Sequence, residues 1–391
     1  PNLHINTSVA LGGGGLAVED PVSLTVTDAV MAGNSAIGLD GSASHGGGGA
    51  LARVRLRGNL INTAWSAVSW YANSAASLGG GLYVLGMPTT VTSSSLVNNN
   101  AASGGGLAFS SLSAVPRAVT MISAVLSSNS ASLAGGGALL RGGILTATAS
   151  TFAGNTADRY GGGLFVTDEA QAVIGSGSLF ASNAATLAGG GTFECRLAAE
   201  CGRAATTCLA TQPRPDGIDR ALINWDAAAY AATAAASNAA AQGPISASDA
   251  VAVGVVGGGI GASTSLEVPS GNNPLPGAVF FATDVYNQSV ITGDVLRVMV
   301  RPAGDPASLE PPRLAPLALA SSLAVASSHD AAEATCSLDV AAGGQCSLPT
   351  LGLFATSANA TSVPVVLAVV LDAAPCVGAP VALSVRATEC A

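Results

Sequence analysis

The chain has 391 residues, a formal net charge of −9 and only 9% charged residues, a balance that argues against a phosphate-backbone partner such as nucleic acid. All fourteen basic residues are Arg, none is Lys, and the length allows two or three domains. The longest apolar run, VPVVLAVVL at 363–371, has nine residues and is too short to span a bilayer as a helix.

The chain opens at Pro1 with neither Met nor a signal-peptide pattern, which reads as a processed product or a fragment whose membrane anchor, if any, lies elsewhere. From there one phrase recurs: MAGNSA…GGGG (31–49), WYANSAASLGGGL (70–82), VNNNAASGGGL (97–107), LSSNSASLAGGGA (126–138), FAGNTADRYGGGL (152–164) and FASNAATLAGGGT (180–192). Its asparagines are Asn34, Asn73, Asn100, Asn129, Asn155 and Asn183, spaced by 39, 27, 29, 26 and 28 residues. Ala stands two positions after each (Ala102 for Asn100), and a bulky apolar residue three before: Met31, Trp70, Val97, Leu126, Phe152 and Phe180. An earlier glycine run at 12–15 belongs to a further copy.

Alternating apolar residues follow each glycine run, as in Leu82 and Val84 or Leu164 and Val166, and mark a short strand with one buried face. A second β-prone run comes next, such as TVTSSSL (90–96) or ILTATASTF (144–152). A repeat of this length cannot bury its own apolar face; stacking copies into a parallel β-helix does. On that reading the bulky residue fills the interior and the Asn bonds to its equivalent one coil away. The glycines then let the chain turn where a neighbouring coil lies only about 4.8 Å off. The insertion AIGLDGSASH (36–45) is placed in a loop, and Arg53, Arg55 and Arg57 on one solvated strand face.

The repeats stop at Cys195. Seven cysteines cluster as Cys195, Cys201 and Cys208, then Cys336, Cys346, Cys376 and Cys390, with spacings unlike a zinc site. Disulfides and an oxidising compartment account for them better. WDAAAYAATAAASNAAA (225–241) has helix-forming composition and is expected to cover the open end of the solenoid. Sequons stand at Asn6, Asn287 and Asn359. The expected domains are 1–195, parallel β-helix; 196–273, a Cys/Ala-rich closing region; and 274–391, a β-sandwich.

The Phe-x-x-Asn…Gly-Gly-Gly-Leu pattern resembles the polymorphic outer-membrane-protein repeat of chlamydial, algal and protist surface proteins, over residues 12–195. The resemblance implies an all-β chain with a right-handed, pectin-lyase-like β-helix displayed outside the cell. Asn238-Ala-Ala-Ala-Gln-Gly243 looks like a last, degenerate copy, and AVFFATDVYNQSVITGD (278–294) is similar to the Asp-x-Tyr-Gly-Asn-type opening of an immunoglobulin-like sandwich found in such proteins, though here Asn287 follows Tyr286 with no Gly between.

The β-helix also hosts polysaccharide lyases and hydrolases, which need clustered carboxylates. The repeats offer Glu19, Asp20, Asp28, Asp40, Asp158, Asp168, Glu169 and Glu194, with no two recurring at equivalent positions. His4, His45 and His329 are scattered, and no Lys follows a glycine run as a phosphate loop requires. The expectation is therefore a non-enzymatic extracellular structural or adhesive glycoprotein without cofactor. Its partners would be other extracellular proteins, further segments of the same protein or copies of itself. A secreted carbohydrate-active enzyme or polysaccharide-binding module is the alternative.

Overall fold

The computed structural model describes residues 3–6, 9–10, 14–19, 24–37, 50–53, 62–111, 117–167, 170–195, 223–248, 252–256, 264–269, 278–291, 294–302, 323–326, 333–338, 341–347, 352–355, 363–371 and 374–388. It divides into two compact units. One comprises the described residues up to Cys195 together with 223–248, the other those from Ala252 on.

The first unit is a parallel β-solenoid. Each coil contributes one strand to each of four sheets; in a central coil these are Val125–Ser127, Ser130–Ala134, Ala138–Arg141 and Ile144–Thr148. In that order the sheets hold seven, seven, eight and seven strands, and every pairing is parallel. Three of the four turns of a coil use the left-handed backbone region repeatedly, and the fourth does so at Gly86, Gly142 and Gly143. The residue before each asparagine of the repeat from Asn34 to Asn183 has φ between 53° and 64°, at Gly33, Ala72, Asn98, Ser128, Gly154 and Ser182. A second such corner lies five residues earlier, at Asp28, Ala67, Ser93, Ser123, Ala149 and Gly177.

The third corner is the glycine triplet. Gly135 has φ 68°, and a Cβ on Gly136 would stand 2.3 Å from the Thr156 carbonyl oxygen and 2.5 Å from that of Gly162, both in the next coil. The backbone N–H groups of Gly135, Gly136 and Gly137 donate to the carbonyls of Tyr160, Gly161 and Gly162 at 3.0–3.1 Å. Close approach of two backbones, as much as the turn itself, is what excludes a side chain here.

The interior is apolar along its length. The first sheet supplies Met31, Trp70, Leu96, Leu126, Phe152 and Phe180; the fourth supplies Val26, Trp65, Val91, Met121, Ala147 and Ile174. Phe152 and Phe180 stack at 4.3 Å with an interplanar angle of 4°. Fully burying a side chain of this size is worth about 1.5–3 kcal/mol, so each coil adds its own share of the core. Alanines at 36, 75, 101, 131, 157 and 185 are buried beside the asparagine column on the second sheet, a narrow position that a larger residue would overfill.

The third sheet departs from the one-buried-face expectation. Leu82 and Val84 point into the lumen, but Tyr83 between them is only 3% exposed, and its outward neighbours Ala108, Leu139, Phe165, Phe193 and Ala247 are buried too. Burial on both faces explains continuous apolar runs such as LYVL and LFVT. Tyr160 is one covering residue, its ring 4.7 Å from Phe193 and 6.4 Å from Phe165.

At its C-terminal end the solenoid runs beyond Cys195. Ile223–Trp225 joins the fourth sheet beside Gln171–Ile174. The helix α1, Ala227–Ala234, then covers the last first-sheet strand, Leu179–Ala181. Its N-cap Asp226 accepts hydrogen bonds from the Ala228 and Ala229 N–H groups. The Thr233 hydroxyl accepts from the Phe180 N–H at 3.2 Å, and the Trp225 ring meets Phe180 edge-on. Residues 238–248 complete a partial coil, with Ser246–Ser248 paired to Thr192–Glu194. The segment 196–273 is thus not one closing region: 223–248 belongs to the solenoid, whereas Ala252–Val256 and Thr264–Pro269 pair with strands of the second unit.

That second unit consists of small, mainly antiparallel sheets. A three-stranded sheet joins Ala252–Val256, Val279–Thr283 and Gln345–Cys346. In the five-stranded sheet, Val363–Leu371 is flanked by Asp294–Pro302 and Ala374–Thr388, both antiparallel; the pair 264–269 with 383–388 is parallel. Cys336 and Cys346 form a disulfide.

The glycine triplet yields a test. Gly136→Ala is expected to cost more than about 3 kcal/mol, because the new Cβ meets fixed backbone. Gly154→Ala, whose nearest heavy atom would be 3.8 Å away, should cost only the αL penalty of about 1–2 kcal/mol. Chemical denaturation of both variants checks the order.

Candidate functional site: the asparagine column and the outer faces

The repeat asparagines form one continuous column. In Asn155 the backbone N–H and the Nδ2 group both donate to Oδ1 of Asn183, at 3.0 and 2.9 Å. Nδ2 also donates back to the Leu126 carbonyl at 2.9 Å, and Oδ1 accepts from the N–H and Nδ2 of Asn129. Both amide hydrogens and both lone pairs are therefore used. The same pattern links Asn34, Asn73, Asn99, Asn129, Asn155, Asn183 and Asn238, and the first six are at most 1% exposed.

One member differs from the sequence expectation. Asn100 is exposed on the second sheet and pairs in register with Ser74 and Ser130, while Asn99 occupies the column. The buried alanine is accordingly Ala101, and the interior residue is Leu96, not Val97. NNNAA satisfies Asn-x-Ala in two frames; only the frame that sends Leu96 inward buries the larger side chain. A one-residue slip would turn every side chain to the other face.

A second, partial column escaped the sequence reading. Ser94, Ser150 and Ser178 lie five residues before their asparagines and are buried. Their hydroxyls accept from the N–H groups of Val68, Ala124 and Ser150 in the preceding coils. Ala29, Val68 and Ala124 take the same place elsewhere, so residue type alone conceals it; the constant offset from Asn was the available signal.

The other candidates are scattered. Asp28 and Asp158 are exposed, and Glu194 stands fully buried in the interior column beside Val166 and Ser248. Asp20, Asp40, Asp168 and Glu169 lie outside the described residues, as do Arg55, Arg57, Asn359, Cys201, Cys208 and Cys390. Among the described residues no group of three His, Cys, Asp or Glu could hold a metal ion, and no helix is long and apolar enough to cross a membrane. Cys195 is disulfide-bonded, and Cys376 lies on the strand Ala374–Thr388, as Asn6 does on Leu3–Asn6. Asn287 is exposed at a turn with φ 58°. The buried Asp284 carboxylate holds that turn by accepting from the Tyr286 and Gln288 N–H groups at 2.9 Å.

Burial pushes the Tyr83 phenol above its ordinary value, partly offset by the nearby Ser110 hydroxyl and by the Arg141 charge. No protein-family model matches the chain, and neither the curated proteins nor the solved structures contain a match. The described first-, second- and fourth-sheet strands from Val30 to Ala181 bear no charged side chain.

Two tests follow. Asn155→Ala leaves the Asn129 donors and the Leu126 carbonyl buried without partners and should cost more than about 4 kcal/mol, whereas Asn100→Ala should stay within about 0.5 kcal/mol; urea unfolding distinguishes them. A raised Tyr83 pKa means that the folded chain holds the phenolic proton more tightly than the unfolded one. Stability from this group is intact below the ordinary tyrosine range, about 10, and falls as pH rises through the folded value. Tyr83→Phe should flatten that alkaline decline in unfolding measured against pH.

Proposed function

We propose that this chain is a rigid structural or adhesive element of an extracellular, cell-surface assembly such as a wall, filament or cilium-associated coat. The observation that carries the reading is the asparagine column, which cross-links successive coils from Asn34 to Asn238 with every internal amide group paired. A solenoid stitched in this way resists bending and local opening, because separating any two coils exposes donors and acceptors to a dry interior. The disulfide between Cys336 and Cys346 and the bonded Cys195 support an oxidising compartment. The repeat phrase resembles that of polymorphic outer-membrane proteins, which supports display at a surface. On this reading the antiparallel second unit serves as an immunoglobulin-like joint to a partner, to a neighbouring copy or to further chain, and the exposed Asn287 is an acceptor for N-glycosylation.

Antibodies to the solenoid, applied to intact and to permeabilised source cells, test the proposal. Equal labelling of intact cells, with the antigen released by chaotrope plus reductant, is the expected result. Labelling only after permeabilisation would overturn it, and release of unsaturated or reducing ends from acidic polysaccharides by the purified chain would replace it with an enzyme.

A further inference from the structure

The solvent-facing side of the fourth sheet carries a two-dimensional array of threonines. Thr25 and Thr27, Thr90 and Thr92, and Thr146 and Thr148 occupy the outward positions of their strands as Thr-x-Thr, and Thr120 continues the row. Register places Thr25, Ala64, Thr90, Thr120 and Thr146 in one file, and Thr27, Ser66, Thr92, Ile122 and Thr148 in the next. Between them the residues Val26, Trp65, Val91, Met121 and Ala147 are buried in the lumen. Outward threonines are thus held by the same packing that fills the core.

Three further observations characterise this face, of which the free outward hydroxyls set it apart from the first-sheet serine pair. Its pairings run without a register shift from Leu24 to Ile174, whereas the second sheet is broken between Ala101 and Ser103. None of its strands contains a charged residue. Its outward hydroxyls make no hydrogen bond within the protein, unlike the inward pair Thr63 and Thr89 or the first-sheet pair Ser69 and Ser95, at 2.9 and 3.0 Å.

Hydroxyl files on this sheet repeat at about 4.8 Å between coils and about 6.7 Å along a strand. Threonine is stiff at χ1, so each hydroxyl and methyl is fixed before any partner arrives and little entropy is lost on contact. A neutral, preorganised net of hydroxyls and methyls suits a partner that is itself neutral and periodic in two dimensions. Protein partners are anchored by aromatic and Arg side chains, and sugars by aromatic faces; this face presents neither in its threonine files. Hexagonal ice meets the requirement, since the water oxygens of its prism face repeat close to both spacings. We propose that the fourth-sheet face binds crystalline water. The proposal does not depend on the scaffold reading above.

A fluorophore-labelled, disulfide-intact chain presented to a slowly growing ice front tests it, with a parallel measurement of the gap between melting and freezing points. Thr120→Tyr and Thr92→Tyr place rings across the net at two independent positions. Ser127→Tyr is the control, standing in the first-sheet file that already carries Tyr71. Wild type and Ser127→Tyr are expected to enter the ice and open a freezing gap. Each threonine variant should lose about tenfold of that partitioning, because a protruding ring is a built-in clash, while thermal unfolding matches wild type. Exclusion of wild type from ice would overturn the proposal. So would full partitioning of both folded tyrosine variants, or retention by crystalline cellulose or chitin without ice incorporation.

Discussion

The whole solenoid depends on one constraint: a buried primary amide must use two donors and two lone pairs. Asn155 does so only because Asn129 and Asn183 sit one coil away on either side and the Leu126 carbonyl is within reach. The column fixes coil separation and rotation together. It also tolerates local strain. A non-Gly residue in the left-handed region costs about 1–2 kcal/mol, and Ala72, Asn98, Ser128 and Ser182 all adopt it immediately before a column asparagine. Each internal asparagine donates three hydrogen bonds worth about 0.5–1.5 kcal/mol apiece net, so the bonds outweigh the strain. Four of these six corners therefore manage without glycine.

Satisfying polarity inside leaves the outside free to differ from sheet to sheet. The third sheet is buried on both faces and has become part of the core, with Tyr83, Phe165 and Phe193 packed outward yet buried. The first, second and fourth sheets keep solvent-facing rows of Ser, Thr, Ala and Val with isolated apolar residues such as Tyr71 and Ile122. One scaffold thus presents several chemically distinct surfaces, and the threonine files on the fourth sheet are the most regular of them.

Much of this was legible in the residues. Repetition of Asn-x-Ala with glycine triplets identifies a stacked parallel fold, and residues 227–234 do form a helix over the open end. Two features were not legible, each for a physical reason. In VNNNAA two frames fit, and only three-dimensional packing of Leu96 chooses Asn99 over Asn100. The serine column is interrupted by Ala29, Val68 and Ala124, which keep the shape and drop the hydrogen bond. The last coil, by contrast, was legible at Asn238-Ala-Ala-Ala-Gln-Gly243 even though 55 residues separate Asn183 from Asn238, about twice the spacing within the body.

Variation in repeat length shows where the fold can change without loss. Column asparagines are separated by 39, 26, 30, 26 and 28 residues from Asn34 to Asn183. Yet the stretch from the first left-handed corner to the buried alanine is the same length in every coil: Asp28 to Ala36, Ser93 to Ala101, Ala149 to Ala157. All but one of the extra residues fall between that alanine and the next fourth-sheet strand; the exception lies after Ile174, where the corner at Gly177 comes one residue later than its counterpart Ala149 does after Ala147. Lengthening a connection there costs little, since closure entropy grows only logarithmically with loop length. Lengthening it between the corner and the alanine would move the asparagine off its column and strand at least three buried polar groups. Selection for new contacts can therefore act on the loops flanking the third sheet, and on the outer rows, while the asparagine segment stays fixed by its own hydrogen bonds.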